Sequence, residues 1–378
     1  RGEFKPIATN VPGIQIGELF PKIAAMMDKF TVVRSIVGAN GGHAAHQAVT
    51  GFGPNNAPAG GWPSQGAWIS KVQGPVNQSV PAHCSLFYKT GHGPWGDPGN
   101  GGFLGLAHAP FRLVGGKGET NKTENMVLQG ITLDRLQDRN ALLNSIDGIK
   151  RTVDATGSMV GMDAFTEQAV GILTSSRLVD AMDITQESDE TLARYGKGDP
   201  TFRADGAPKM TENFLIARRL VEAGARCVSL NFSRWDWHGT ADLFNFKRAK
   251  EDFPMLDKGL SALLTDLHSR GLDKDVSVVV WGEFGRTPRL NKLNSRDHWS
   301  GANFALMAGG GMRTGQVIGA TDREAGYPTE RPVKFQEIFA TLYQCIGLDP
   351  ATAAVPDHQG RPLYLVDSGN KPLRELVG

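Results

Sequence analysis

The chain has 378 residues, enough for one large α/β domain or two ordinary ones, with a substantial hydrophobic core. Its 40 Lys and Arg residues balance 39 Asp and Glu residues, and a net charge of +1 argues against nucleic acid or an anionic membrane as the main partner. The three cysteines form no CxxC pair, and no apolar run reaches the ~18 residues that span a bilayer, so the sequence predicts neither a thiolate zinc site nor a membrane span.

The first third of the chain contains a predicted helix, a strand and two glycine-rich segments. Apolar residues recur at helical spacing over residues 16–30, and the β-branched run TVVRSIV at residues 31–37 predicts a strand. The turn GANGGHAAHQAVTG at residues 38–51 is expected to open a second helix. Residues 90–130 are rich in glycine, proline and asparagine and are expected to form a long ordered loop.

The second half of the chain changes from a helical pattern to an alternating one. Residues 131–200 have helical periodicity, and we interpret them as a helical insertion or cap within a single domain over residues 1–378. Between residues 210 and 310 helix and strand patterns alternate, which predicts an α/β fold with a mostly parallel central sheet and helices on both faces. The predicted elements are helices at 210–225 and 253–271 and strands at 227–232, 276–281 and 303–311, and the last two strands are expected to be neighbours in the sheet.

Polar side chains follow three of the predicted strands. In open α/β sheets, ligands bind beyond the carboxyl ends of the strands, so these side chains are expected to meet at one edge of the sheet. They are His43 and His46 after the first strand, Asp236 and His238 after the strand at 227–232, and Glu283, Arg286, Asp297 and His298 after the strand at 276–281. His92 and His108, in the glycine-rich loop, are expected to line the same cleft through hydrogen bonding alone.

The HAAH and WDWH motifs each allow two interpretations. His43 and His46 share one face of a predicted helix, which suits joint metal ligation, but a solvent-facing pair has the same spacing. Asp236 and His238 alternate with two tryptophans and therefore project to one side of an extended segment. Such a pair suits Zn²⁺ or Mn²⁺ better than Mg²⁺ or Ca²⁺. The alternative is that Asp236 caps the loop and His238 is hydrogen-bonded beneath it.

The stretch VVVWGEFGRTP places Glu283 and Arg286 at the end of a buried strand. Arg286 offers a planar fork for a phosphate, sulfate or carboxylate, unless the two residues form an ion pair that braces the loop. The following RDHW adds the carboxylate of Asp297 and the imidazole of His298. Because GGHAAH at residues 41–46 contains no Ser or Thr, the first loop offers no hydroxyl nucleophile for a covalent mechanism.

Several motifs, taken in order, resemble the bacterial "domain of unknown function 1501" family. They are GEFKPIATNVPG near the start, HQAVTG, WPSQGAWIS, WDWH, and GEFGRTPRLN followed by RDHW, and they cover essentially the whole chain. That family is grouped with the alkaline phosphatase and sulfatase superfamily. The resemblance therefore implies an alkaline-phosphatase-like fold, hydrolysis of phosphate or sulfate esters and one or two metal ions. Because many members carry export signals, it also implies a periplasmic or extracytoplasmic location.

The resemblance also implies roles for individual residues. Asp236 and His238 resemble the superfamily's metal-binding pair, and His298 resembles its late metal-binding histidine. Glu283 stands where a strand-end pair of metal ligands is expected, but Phe284 replaces the histidine of that pair. The resemblance thus implies that a second metal site is weakened or lost.

The first of two hypotheses is a metal-dependent, hydrolase-like protein that acts on a small anionic ester by metal-activated water. Arg286 holds the anion, His43 or His46 transfers protons, and the cofactor is a divalent ion, Zn²⁺ or Mn²⁺. The predicted metal ligands are Asp236, His238, Glu283, Asp297 and His298.

The second hypothesis is a non-catalytic, exported relative that serves as a binding or assembly component. It predicts that Glu283 and Arg286 pair with each other. It also predicts that His238 and His298 lie too far apart to share an ion.

Overall fold

The computed structural model describes residues 2–118, 171, 175–240 and 244–378, which form a mixed α/β fold. The strands are β1 (Pro6–Ala8), β2 (Gln15–Gly17), β3 (Phe30–Val37), β4 (His83–Leu86), β5 (Phe111–Arg112), β6 (Cys227–Leu230), β7 (Ser277–Trp281), β8 (Gly285–Arg286), β9 (His298–Trp299), β10 (Asn303–Gly309), β11 (Gln316–Ile318), β12 (Ala320–Thr321), β13 (Pro328–Glu330), β14 (Val333–Lys334), β15 (Ala354–Pro356) and β16 (Pro362–Tyr364). The helices are α1 (Pro21–Ala24), α2 (His46–Thr50), α3 (Gln65–Gln73), α4 (Arg177–Met182), α5 (Asp189–Tyr195), α6 (Glu212–Ala223), α7 (Asn245–Ser269), α8 (Phe335–Cys345) and α9 (Arg374–Val377).

The larger sheet has the strand order β11-β3-β10-β7, and β14 also pairs with β3. β10 is antiparallel to both β3 and β7, whereas β11 and β14 are parallel to β3. The predicted pairing of the strand at 303–311 with the strand at 276–281 is therefore confirmed, but this sheet is mixed and not mostly parallel. The reason is the connection from β7 to β10, which is a loop without a crossover helix, so the chain returns in the opposite direction.

A second sheet consists of three short parallel strands in the order β5-β4-β6. Helix α3 packs against it through Gly66, where an added Cβ atom would lie 2.3 Å from the ring of His83. His83 is 3% exposed, so it is a core residue. The strand predicted at 227–232 therefore lies in a parallel sheet, but its companions are β4 and β5, and this is a different sheet from that of the strands predicted at 276–281 and 303–311.

The helix predicted at residues 16–30 is wrong. This segment contains strand β2, the single turn of helix α1 and a 3₁₀ turn at Met27–Lys29. Pro21 lacks an N–H group, so no helix can continue through it with its hydrogen bonds intact, and α1 begins there. The apolar residues of this segment still pack together, because Ile23, Met27 and Phe30 are all buried in one core cluster.

The two predicted helices that flank β6 are confirmed. Helix α6 ends before Gly224, whose φ of +118° is a conformation that favours glycine. Helix α7 begins at Asn245, eight residues earlier than the predicted start at 253, and continues through Pro254. The sequence placed the start too late because proline is typical of the first turn of a helix and is rare inside one.

The predicted helical insertion is described only in part. Residues 175–200 contain the short helices α4 and α5, whereas the rest of the predicted region, apart from Gly171, lies outside the described residues. Among the described residues, no helix combines the length and the apolar composition that crossing a bilayer requires.

Three loops meet at one edge of the larger sheet, although the third follows β6 of the smaller sheet, whereas the sequence predicted a strand of the same sheet. β3 and β7 run in the same direction because both are antiparallel to β10, so their carboxyl ends lie at the same edge. The loop after β6 reaches the same place, since the Oδ2 atom of Asp236 lies 3.4 Å from the Nε2 atom of His43 in the loop after β3.

Candidate metal centre

Four side chains converge where these loops meet. His43, Asp236, His238 and His298 each offer one ligand atom, and these four atoms all lie within 4.8 Å of one another. His43 follows β3, Asp236 and His238 follow β6, and His298 lies in β9, in the chain between β7 and β10. Residues far apart in the sequence thus form one polar cluster, which is partly open to solvent.

The distances within the cluster are somewhat shorter than those between the ligands of a single ion, so the three side chains need to move apart by less than about 1 Å to hold one. The Nε2 atoms of His238 and His298 are 3.1 Å apart, and the Oδ1 atom of Asp236 is 2.5 Å from the first and 2.9 Å from the second. The ligand atoms of a tetrahedral zinc ion, at bond lengths of ~2.1 Å, are about 3.4 Å apart. His43 is farther out, with its Nε2 atom 3.4 Å from the Oδ2 atom of Asp236.

Two of the rings have their outer nitrogen atoms held by acceptors. The Nδ1 atom of His238 lies 2.9 Å from the Oδ1 atom of Asp297, and the Nδ1 atom of His298 lies 2.9 Å from the carbonyl oxygen of Gly41. Each Nδ1 therefore donates a hydrogen, and in the neutral ring the Nε2 lone pair points toward Asp236. Lone pairs and a carboxylate that face each other at this range are stabilised by a cation between them, either a proton on one of the rings or a metal ion, and two imidazoles with one carboxylate are a donor set that fits a divalent metal ion.

The order of residues in WDWH explains how the ligands are presented. Trp235 and Trp237 pack on Phe253 of helix α7, with ring centroids 5.4 and 6.2 Å away. Alternate residues of an extended segment point to opposite sides, so Asp236 and His238 face the cluster while the tryptophans face the core.

Arg286 contacts Asp236 directly. Its Nη1 atom donates to the Oδ1 atom of Asp236 at 2.8 Å, and its Nη2 atom donates to the carbonyl oxygen of Trp235 at 2.9 Å. Burial alone would raise the pKa of Asp236, but the hydrogen bond and charge of Arg286, together with His238 and His298, lower it to about 2. Asp236 is therefore an anion at neutral pH, and Arg286 braces the WDWH loop.

Glu283 and Asp297, both predicted as metal ligands, do not belong to the four-residue group. Each instead lies near the outer nitrogen of one of its histidines. An Oε1 atom of Glu283 is 3.9 Å from the Nδ1 atom of His43, and burial raises the pKa of this carboxyl group. Asp297 instead contacts the outer nitrogen of His238, and hydrogen bonds from Asn291 and His238 lower its pKa. Asp297 is thus placed to orient His238, whereas Glu283 lies beyond hydrogen-bond distance of His43, whose Nδ1 atom has no hydrogen-bond partner among the described residues.

His43 and His46 do not share a helix face. Helix α2 begins at His46, and His43 lies in the preceding turn, where the side chain of Asn40 accepts a hydrogen bond from the backbone N–H of Gly42. Gly41 and Gly42 favour a turn at this point, so helix α2 starts later than the HAAH spacing predicts. The Nε2 atom of His46 is buried without a hydrogen-bond partner, and burial lowers the pKa of this ring.

An aromatic wall adjoins the cluster, and the sequence predicted only part of it. The ring of His43 lies 5.1 Å from that of His92 and 5.0 Å from that of Trp95, and His92 stacks on Trp95 at 4.3 Å. Phe284 contacts the ring of His298 at 4.4 Å. Burial lowers the pKa of His43 to about 4, so this ring is neutral at pH 7. A tryptophan inside the GHGPWG loop was the signal that sequence reasoning overlooked.

Comparison with known proteins identifies the family. The model of the family described as "Protein of unknown function (DUF1501)" matches residues 1–377. The chain belongs to the DUF1501 family. The family resemblance drawn from GEFGRTPRLN and RDHW is thereby confirmed, and the DUF1501 description itself assigns no activity.

Other comparisons add little to the DUF1501 assignment. None of the curated proteins compared matches the sequence. Among solved structures, the chain is similar to the PsFucS1 sulfatase from Pseudoalteromonas sp., with 12% identity, a TM-score of 0.38 and coverage of 94% of this chain and 68% of that chain. So weak a likeness establishes neither the topology nor the activity of the DUF1501 chain.

Proposed function

We propose that this protein is a metal-dependent hydrolase of the alkaline phosphatase and sulfatase superfamily that acts on a small anionic phosphate or sulfate ester. The observation that carries the proposal is the convergence of Asp236 and the Nε2 atoms of His238 and His298 to within 3.1 Å of one another. A Zn²⁺ or Mn²⁺ ion bound there supplies Lewis acidity, which polarises an ester oxygen and lowers the pKa of a water molecule.

The protein's own residues would then divide the remaining work. Asp236, His238 and His298 would hold the ion, and His43 would lie beside it without binding it. Because burial keeps His43 neutral at pH 7 and Glu283 lies 3.9 Å from its Nδ1 atom, where the carboxyl group would stabilise a protonated ring, His43 is suited to accept a proton during the reaction. The absence of a Ser or Thr in residues 41–46 supports direct attack by water over a covalent intermediate.

The predicted role of Arg286 in anion binding takes a more specific form in this proposal. Two of its nitrogen atoms already donate to Asp236 and Trp235, so it neutralises a ligand carboxylate and leaves only its remaining N–H groups for the ester. His46 has no comparable contact with the four-residue group, and we assign the proton-transfer role to His43.

The wider setting follows from the family resemblance. We propose a periplasmic or extracytoplasmic location, a single alkaline-phosphatase-like domain over residues 1–378, and a cap role for residues 131–200. These proposals rest on the DUF1501 resemblance and on the helical periodicity of that region.

Metal analysis combined with an ester assay tests the proposed function. We expect the purified protein to bind one equivalent of Zn²⁺ or Mn²⁺ and to hydrolyse an aryl sulfate or aryl phosphate. The variant His298→Gln should lose both properties. His268→Gln should keep them, because His268 lies near the end of helix α7, where it pairs with Asp273 in the following turn and not with the cluster. Failure to bind either metal, and failure to hydrolyse either ester with metal added, would exclude this function.

The alternative of a non-catalytic binding component has less support. It requires His238 and His298 to be too far apart to share an ion, but their Nε2 atoms are 3.1 Å apart. It also requires Glu283 to be the partner of Arg286, whereas Arg286 donates to Asp236.

A further inference from the structure

The ligand-bearing loop after β6 contains a strained residue at its start. Ser233 has a φ of +60°, in the left-handed region that side chains with a Cβ atom rarely adopt, and it is only 6% exposed. Its backbone is fixed by two hydrogen bonds, from its N–H to the carbonyl oxygen of Pro208 and from the N–H of Ala207 to its own carbonyl oxygen, each 3.0 Å long. This turn sets the direction in which WDWH leaves the sheet.

The side chain of Ser233 is held by a buried carboxylate on helix α7. Its hydroxyl group donates to the Oδ2 atom of Asp252, a residue with no exposed surface. The other oxygen of Asp252 accepts from Arg203 at 2.7 Å and lies 3.6 Å from the Nζ atom of Lys209. A buried carboxylate is tolerated only when such partners neutralise it, and here they come from the segment that also binds the Ser233 backbone.

The next residue of the helix holds the other end of the loop. Phe253 stacks on Trp235 and contacts Trp237, the two tryptophans that alternate with the ligands. One turn of helix α7 therefore fixes the WDWH loop twice, by a charge and hydrogen-bond network at Asp252 and by ring packing at Phe253.

We propose that Asp252 is the positioning residue of the metal centre: by holding Ser233 in its left-handed conformation, it aligns Asp236 and His238 with His298. Asp252 itself does not contact the four-residue group and takes no part in the chemistry. The inference rests on the proposed function for its role in metal binding, but the alignment of the rings can be tested without metal.

The test compares two buried aspartates of the same helix. Asp257 is 2% exposed and accepts hydrogen bonds from the backbone N–H groups of Lys22 and Ile23, so its hydrogen bonds hold helix α1 and not Ser233. In metal-free protein with ¹⁵N-labelled histidine, Asp252→Asn should shift the ring-nitrogen signals of His238 and His298, whereas Asp257→Asn should leave both unchanged. In Zn²⁺ titrations, Asp252→Asn should bind at least ~10-fold more weakly than the wild type, the usual effect of disturbing the residues that orient ligands.

A rescue variant separates positioning from general stability. Glycine adopts a positive φ without the steric cost of a Cβ atom, so the double variant Asp252→Asn/Ser233→Gly should recover much of the zinc affinity that Asp252→Asn loses. If Asp252→Asn does not fold, Ser233→Ala removes the same hydroxyl contact and should shift the same two rings.

The outcomes distinguish this inference from the proposed function. Unchanged ring signals in both Asp252→Asn and Ser233→Ala, or equal shifts in Asp252→Asn and Asp257→Asn, would overturn the positioning role. A wild-type protein that binds no metal would remove the proposed function, while the ring signals of the metal-free protein would still decide whether Asp252 aligns the two histidines.

Discussion

His238 and His298 each use one ring nitrogen for the protein and leave the other for the cluster. The outer partner differs, since His238 contacts the carboxylate of Asp297 and His298 contacts a backbone carbonyl oxygen. A carboxylate increases the basicity of the ring it accepts from, so in the proposed metal centre the charge of Asp297 would strengthen ion binding through His238.

We expect Asp297→Asn to weaken zinc binding by about 10–100-fold, because the amide still accepts the hydrogen bond but carries no charge. The measurement is a competition titration against a chromophoric zinc chelator. Asp322→Asn is the control, since Asp322 only accepts backbone N–H groups in the turn at residues 322–327. Zinc affinity within a factor of two of the wild type would show that Asp297 does not support the site.

The sequence pattern predicted the orientation of Asp236 and His238 better than it predicted which side chains pack around the cluster. Asp236 and His238 could be placed on one side of their segment because alternation along an extended chain is a local property. The approach of Trp95 and His92 to His43 could not, because it depends on how a loop without regular periodicity folds over another loop. The later start of helix α2 likewise depends on a hydrogen-bonded turn that glycine content alone does not specify.

At the scale of elements, close packing between helix α3 and strand β4 fixes the smaller sheet. Gly66 faces the buried ring of His83, and a Cβ atom there would lie within 2.6 Å of three ring atoms. The ring is 3% exposed and has little room to move. The two elements can approach this closely only because Gly66 has no side chain.

We expect Gly66→Ala to lower the free energy of unfolding by ~1–3 kcal/mol, the usual cost of overpacking a core. Alanine also gains about 1 kcal/mol of helix propensity, but the clash exceeds this gain because the ring cannot withdraw. Urea unfolding measures the change. Gly53→Ala serves as the comparison, since a Cβ atom there meets nothing within 4 Å. Equal stability of both variants would contradict the close packing.

The sequence predicted the type of an element correctly where the apolar periodicity extended over many residues. It placed the ends of helices wrongly where a proline lies in the pattern. Pro21 divides an apolar pattern that reads as one helix, and Pro254 lies inside a helix that the sequence would start there. The direction of β10 was not predictable from its composition. It follows from the absence of a helix between β7 and β10, and from pairing with β3, which lies more than 260 residues earlier.

Over the whole molecule, burial of histidines makes the fold sensitive to acid. Burial lowers the pKa values of His83 and His108 to about 4, from a reference value of 6.5. Below pH 6.5 the unfolded chain takes up protons that the folded chain does not, so stability is complete above pH 6.5 and falls as the pH approaches 4. The fully buried His83 alone contributes up to about 3 kcal/mol to this loss.

We expect His83→Gln to reduce the fall in unfolding free energy between pH 7 and pH 4.5, because the variant has no ring to protonate at this position. Urea unfolding at a series of pH values provides the measurement. His358→Gln, at an exposed position, should retain the wild-type profile. A profile for His83→Gln that is parallel to that of the wild type would show that acid sensitivity arises elsewhere.

The position of β10 in the chain has a consequence for the order of events during synthesis. β10 lies between β3 and β7 in the larger sheet and pairs with both of them. It is synthesised after both. Because a chain emerges from the ribosome starting at its N-terminus, the segments that carry His43 and Asp236 are exposed to the cell before the strand that joins the larger sheet exists. If the proposed ligands hold an ion, they can do so as a complete set only late in synthesis, and a chain that stops before residue 303 would carry every proposed ligand without the strand that joins β3 to β7.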